Sequence, residues 1–262
     1  NGRFHLFNMM IPRKGIYLSL SEDGVNFQEH GMVVQSQRAG SGGVWRGARF
    51  LEDGKYYLSM TEMDNGQLFV SFAESVDLLS WNRLGPKVDS RADPRWYKVG
   101  VNDAYLGPRW DDMNTIPRPQ GGLYAFTTAN PLNRTGFGFA YTEDDRQWTP
   151  LPPPEIDWKH QAPLPWLECG GAHRIGDTYF LSAKSETDTH RGIWMLAADA
   201  LEGPWFPTER NFHLLTYDRR YCHNWYGGFF DGPDGVLFNH CVRYRSWDKT
   251  GNSHLAPFKR VM

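Results

Sequence analysis

EDGKYYLSM (52–60), QGGLYAFTT (120–128) and IGDTYFLSA (175–183) are versions of one phrase, a Gly/Asp turn that runs into an aromatic-rich strand. NGRFHLF (1–7) and the weaker PDGVLFNHC (233–241) carry the same phrase toward the two ends. Turn dipeptides of Gly, Asp or Asn that feed such strands are hairpin signals. The turns at 1, 53, 121, 176 and 234 lie 52, 68, 55 and 58 residues apart. A period of that size marks a repeat architecture.

A second phrase follows the first in the same order: SEDGVNF from Ser21, SVDLLSW from Ser75 and TEDDRQW from Thr142. Each has a hydroxyl residue, an Asp two positions on (Asp23, Asp77, Asp144) and an aromatic four further (Phe27, Trp81, Trp148). The fourth copy, AADALEGPW with Asp199 and Trp205, is looser. A hydroxyl and a carboxylate two apart close a turn on backbone N–H groups, and the aromatic re-enters the core. These aspartates read as scaffold.

Five units of short strands without an amphipathic helix between them predict an all-β fold, a five-bladed β-propeller. A β-sandwich is the rival, but it has turn signals every 8–12 residues and no blade-sized period. The Pro-rich stretch LPPPEIDWKHQAPLPW (151–166) reads as a connection between the third and fourth units, so residues 1–262 form one domain.

Composition narrows the function classes. The chain has 262 residues and a formal net charge of −2, which lacks the basic excess of a nucleic-acid binder. With 40% hydrophobic and 22% charged residues it can bury a core, and no apolar run is long enough to cross a bilayer. Eleven Trp supply flat apolar faces for a ligand. Cys169, Cys222 and Cys241 give neither a zinc pattern nor a disulfide framework, although Cys222 and Cys241 flank a hairpin across which a pair is one reading. Asn133-Arg134-Thr135 is a formal glycosylation sequon. Compartment, secreted or cytoplasmic, and oligomeric state stay open.

In a propeller the first strand of each blade lines the central channel. Stepping back ten or eleven residues from the strand phrases lands on Trp45 and Arg46, on Asp112, on Glu168 and near Trp225. For the first unit the same step falls before Asn1. Asp111 adjoins Asp112, and strand alternation would send the two to opposite faces, with Asp112 inward and Asp111 in reserve. Paired carboxylates beside aromatic rings suit sugar chemistry: rings stack on sugar faces, and the acids act as general acid with base or nucleophile.

At these residues the chain also resembles two families. NGRFHLF is similar to the segment after the Asn-Asp-Pro-Asn-Gly motif of glycoside hydrolase family 32, the invertase and inulinase group. WLECGGAHRIGDTYFL resembles that family's Glu-Cys motif, and RWDDMNTIP sits where its Arg-Asp-Pro motif would. EDGKYYLSMTE and ALEGPW are similar to family 43, the arabinanase and xylosidase group. The resemblance implies a five-bladed propeller with Glu168 as acid/base, Asp112 as the acid that orients substrate, and a third acid upstream of Asn1. Arg109 matches the motif's Arg with a one-residue insertion, and Met113 and Gly170 replace the motifs' prolines. Substrate contacts are expected from Trp45, Arg46, Arg109, Trp110, His223 and Trp225. No cofactor is expected, unless His223 faces the channel and binds a metal ion or its water. The expected function is glycoside hydrolysis of a furanoside or related oligosaccharide, with a carbohydrate as partner and neither nucleic acid nor membrane. A non-catalytic carbohydrate-binding propeller is the alternative, and a protein-interaction propeller the third reading.

Overall fold

The computed structural model describes residues 2–9, 15–36, 49–50, 54–101, 107–185, 192–210, 212–218, 222–232, 234–244 and 252–261. Among them the chain is all-β, with a single 3₁₀ turn at Pro86–Val88 and no α-helix. Four antiparallel sheets follow the chain order. The first holds β1 (Phe4–Met9), β2 (Gly15–Ser21) and β3 (Gln28–Gln35). The second holds β4 (Arg49–Phe50), β5 (Tyr56–Asp64), β6 (Gln67–Ser75) and β7 (Asn82–Arg83). The third holds β8 (Trp110–Pro117), β9 (Leu123–Ala129), β10 (Gly138–Thr142) and β11 (Thr149–Leu151).

The fourth sheet has nine strands. It starts as another meander, β12 (Glu168–Ile175), β13 (Thr178–Ser185) and β14 (Gly192–Ala198), with β15 (Phe206–Pro207) on β14. Then β16 (His213–Asp218) pairs with β14 and with β17 (Cys222–Gly232). It thereby joins β17, β18 (Gly235–Tyr244), β19 (Asn252–Leu255) and β20 (Lys259–Arg260) to the same sheet.

Four of the repeated phrases occupy equivalent places, each pairing with the strand before it, while among the described residues the first lies at the edge of its sheet. Each aromatic-rich strand is β1, β5, β9, β13 or β18. The hydroxyl–Asp phrases are the turns expected of them. Asp23 accepts from the backbone N–H of Val25 and Asn26, Asp77 from Leu79 and Ser80, and Asp144 from Arg146 and Gln147. Ser21, Ser75 and Thr142 each hydrogen-bond the carboxylate of their own copy. These bonds favour the ionised form, so all three carboxyls are held below their ordinary value, chiefly by the N–H groups of Asn26, Ser80 and Gln147.

The core lies between successive sheets. Ile16 and Val34 of the first meet Leu58, Met60 and Ala73 of the second. Val70 and Phe72 of the second meet Trp110, Ala125 and Ala140 of the third. Phe126 and Phe139 of the third pack with Leu181, Leu196 and the fully buried Trp205. Phe126 meets Trp205 edge-on, with ring centroids 5.4 Å apart. Each such ring, removed from water, contributes about 2–3 kcal/mol, so face-to-face stacking of sheets is the main stabilising term.

The disulfide reading is corrected by register. Cys222 stands opposite Tyr244, while Cys241 stands opposite Leu255 on the other side of β18. The position facing Cys222 lies three positions along β18 from Cys241, roughly 10 Å along the strand, which is beyond disulfide reach.

Candidate active site

Three carboxylates gather on one guanidinium where β8 and β12 run side by side. Arg109 precedes β8, Asp111 and Asp112 lie within it, and Glu168 is the first residue of β12. Arg109 grips Asp111 through Nε at 3.0 and 3.1 Å and through Nη2 at 2.6 Å. The same Nη2 lies 3.4 Å from Asp112 Oδ2, and Nη1 donates to Glu168 Oε1. Lys184 Nζ is 3.0 Å from the other Glu168 oxygen. All five ionisable side chains are buried, Asp112 completely. Charges that deep persist only when paired, and here each is.

The electrostatics follow from that crowding. Burial alone would lower the pKa of Arg109, but Asp111, Asp112 and Glu168 together raise it well above the ordinary arginine value. Asp111 is pushed up by burial, with Arg109 pulling the other way and Glu168 adding to the rise. Arg109 is therefore a fixed cation around which the acids are arranged.

The local fold explains how neighbours in sequence share one site. Asp111 stands opposite Thr128 and Asn114 opposite Phe126, so two residues of β8, Asp112 and Met113, face only Thr127. This is a β-bulge, with Asp112 in the left-handed region at φ 54°. The bulge interrupts alternation. The expectation that Asp111 and Asp112 point to opposite faces is thus corrected, since both carboxylates reach Arg109. Hydroxyls hold the bulge: Thr127 Oγ1 donates to the Asp111 carbonyl, and Thr61 Oγ1 accepts from the Asp112 N–H at 3.4 Å. Similar irregularities recur in β12 at Cys169–Gly171 and in β17 at Asn224–Gly227. In β12 the backbone leaves no room for a side chain: a Cβ on Gly170 would lie 2.5 Å from the Ser182 carbonyl and 2.7 Å from the Gly227 carbonyl.

The expected substrate contacts divide. Arg109 is in the site, but as the organiser of its acids. Trp110 is not. It is 1% exposed, packs edge-on against Tyr97 and donates its indole N–H to Ser90 at 3.0 Å. Alternation before the bulge turns Trp110 away from Asp111 and into the core. Trp45 and Arg46 lie outside the described residues. His223 and Trp225 belong to β17, but their side chains lie outside what is described. Among the described residues no group of three His, Cys, Asp or Glu side chains is arranged to hold a metal ion.

Two contributors escaped the sequence reading. Lys184 faces Glu168 across the β12–β13 ladder, a relation set by register. Trp166 stacks on Arg109, with the guanidinium carbon 5.5 Å from the ring centroid. The sequence signal for Lys184 is a lysine near the end of an otherwise apolar or small run, YFLSAKS. A surface cleft lined by Gln67, Arg91, Lys98, Pro108, Arg109 and Trp110 borders the start of β8.

No protein-family model matches the sequence, and no curated protein matches it. Solved structures do. A thermostable family-43 glycoside hydrolase aligns at TM-score 0.68 and 16% identity over 98% of this chain and 85% of its own. The α-L-arabinanase of Cellvibrio cellulosa aligns at TM-score 0.68 and 13% identity, over 97% and 88%. An endo-1,4-β-xylanase from Bacteroides thetaiotaomicron aligns at 0.66 and 15%, over 97% and 86%. The chain therefore shares its fold, over nearly its whole length, with family-43 glycoside hydrolases.

Proposed function

We propose that this protein is a glycoside hydrolase acting on a furanoside or related oligosaccharide, built as a single five-bladed propeller. Five turn-and-strand phrases support the blade count, with the last two blades joined through β16. The observation that carries the function is the convergence of Asp111, Asp112 and Glu168 on Arg109 from two adjacent sheets. The shared fold makes glycoside chemistry the first use to consider for such acids.

The roles follow from the contacts. Asp111, gripped by Arg109 at two nitrogens, holds the guanidinium rather than acting on sugar. Asp112, with a weaker 3.4 Å contact to Arg109, orients substrate or stabilises the charge that develops on it. Glu168 is the acid/base. Both of its oxygens face cations, so the incoming sugar must draw one cation aside before Glu168 can deliver a proton. The same double pairing favours the second reading, a propeller that binds carbohydrate without cleaving it.

Aryl arabinofuranosides and arabinan, assayed with wild type and Glu168→Gln, separate the two. Turnover on arabinan should fall about 10²–10⁴-fold, the usual worth of a general acid. Aryl substrates with good leaving groups need little protonation and should lose least. Equal losses on both would remove Glu168 from the acid role. Arabino-oligosaccharide binding without any hydrolysis by wild type would establish the binding reading.

A further inference from the structure

Thr128 joins the two acids by a route separate from Arg109. It is the second-last residue of β9 and fully buried. Its Oγ1 accepts the backbone N–H of Cys169 at 2.9 Å, the peptide just after Glu168. It also lies 3.0 Å from Asp112 Oδ2. A hydroxyl carries one proton, and an N–H cannot accept it, so the Thr128 proton points at the Asp112 carboxylate. The direction is therefore set by the backbone of β12.

Asp112 needs such a tether. It sits on a bulge at φ 54°, where regular strand geometry no longer dictates where a side chain points. The Arg109 contact at 3.4 Å is long, and that guanidinium is committed more closely to Asp111. Thr128 supplies the shorter bond, and its other partner belongs to the strand that carries Glu168.

We propose that Thr128 is a positioning residue that fixes the Asp112 carboxylate relative to Glu168 through the Cys169 backbone. The proposal rests on the glycosidase reading for its effect on turnover, but not for the bond itself. Thr128→Val keeps the shape and removes the hydroxyl, whereas Thr128→Ser keeps the hydroxyl. Thr128→Val should lower kcat on aryl arabinofuranosides about 10- to 100-fold, the range for loss of a hydrogen bond to a charged group, and leave KM within about twofold. A lost donor to the carboxylate also disfavours its ionised form, so the acid limb of the pH–rate profile should move to higher pH. Thr128→Ser should restore both. A purely structural residue would lower the melting temperature without moving the profile, and that result, or an unchanged kcat, overturns the proposal. Thr128→Cys, a weak donor of similar size, replaces Thr128→Val if the latter does not fold, with the same outcomes. If wild type cleaves no glycoside, ¹³C carboxyl NMR, with Asp112 assigned through Asp112→Asn, decides instead. An Asp112 titration midpoint higher in Thr128→Val than in wild type supports the tether, and an unmoved one overturns it.

Discussion

Lys184 meets Glu168 with both side chains buried, at 3% and 2% exposure, and that sets what its removal does. A buried ion pair contributes little net stability, because desolvation offsets the attraction, but breaking one side leaves the other charge uncompensated. Arg109 still contacts Glu168 in Lys184→Met, so the loss should fall below the 3–5 kcal/mol typical of a wholly abandoned partner, at about 2 kcal/mol. Urea unfolding should show this as a lower midpoint at unchanged slope, and Lys184→Arg should recover part of it. No loss in Lys184→Met would mean that Arg109 alone neutralises Glu168. Short offsets from the turn phrases point at Asp112 and Glu168, near the starts of β8 and β12; Asp111 was legible only as the neighbour of Asp112, and Arg109 only through the family resemblance. Sequence reading missed Lys184 because pairing across a ladder depends on register, and it misplaced Trp110 because one position along a strand exchanges core for site.

Among the elements, the hydroxyl–Asp turns are the most legible, since every bond in them closes within a few residues. The bulge in β8 was not legible. Nothing in RWDDMN distinguishes a regular strand from one that gains a residue against β9; the count of partners settles it. The turns also differ in how well their fourth position, just after the Asp, suits its backbone. Gly24, Leu78 and Asp145 all sit near φ +60–70°, a conformation that glycine adopts without cost and leucine does not. The turn carboxylates make a pH prediction. The folded pKa of Asp77 lies below 3.8, so its turn contributes stability that is present above that value and is lost as pH falls through the folded pKa. Asp77→Asn keeps one acceptor oxygen but not the charge. The stability gap between wild type and Asp77→Asn should therefore be widest at neutral pH and narrow below 3.8 in acid-unfolding curves. A gap that stays constant down to about pH 2 would show that the hydrogen bonds, and not the ionised form, hold the turn.

For the whole molecule, the question is how sheets that follow one another along the chain are held at the first and last of the series. The first sheet touches the second through Phe7, edge-on to Trp81 with centroids 5.6 Å apart. Arg83 of β7 strengthens that side, since it pairs with the buried Glu62 and donates to the Gln35 carbonyl of β3. On its other side the first sheet meets the C-terminal segment. Phe4 stacks on Phe258 at 5.8 Å, and Phe258 meets Phe230 of β17 edge-on at 5.2 Å. One ring therefore bridges the first sheet and the last, with no strand pairing between them among the described residues. The other sheets are also joined by side chains alone, but through clusters of buried residues; a junction carried by one partly exposed ring buries less apolar surface and should be the weakest seam of the fold. Phe258→Ala removes the bridge and leaves Phe7 on Trp81. It should cost about 1–3 kcal/mol, less than a fully buried phenylalanine because Phe258 is only partly covered. Hydrogen exchange should then quicken in β1 and β2 and at the C-terminal segment, while β9 and β13, between the central core clusters, keep their protection. Equal acceleration in all four sheets would show that Phe258 holds the fold as a unit and that the first sheet does not open alone.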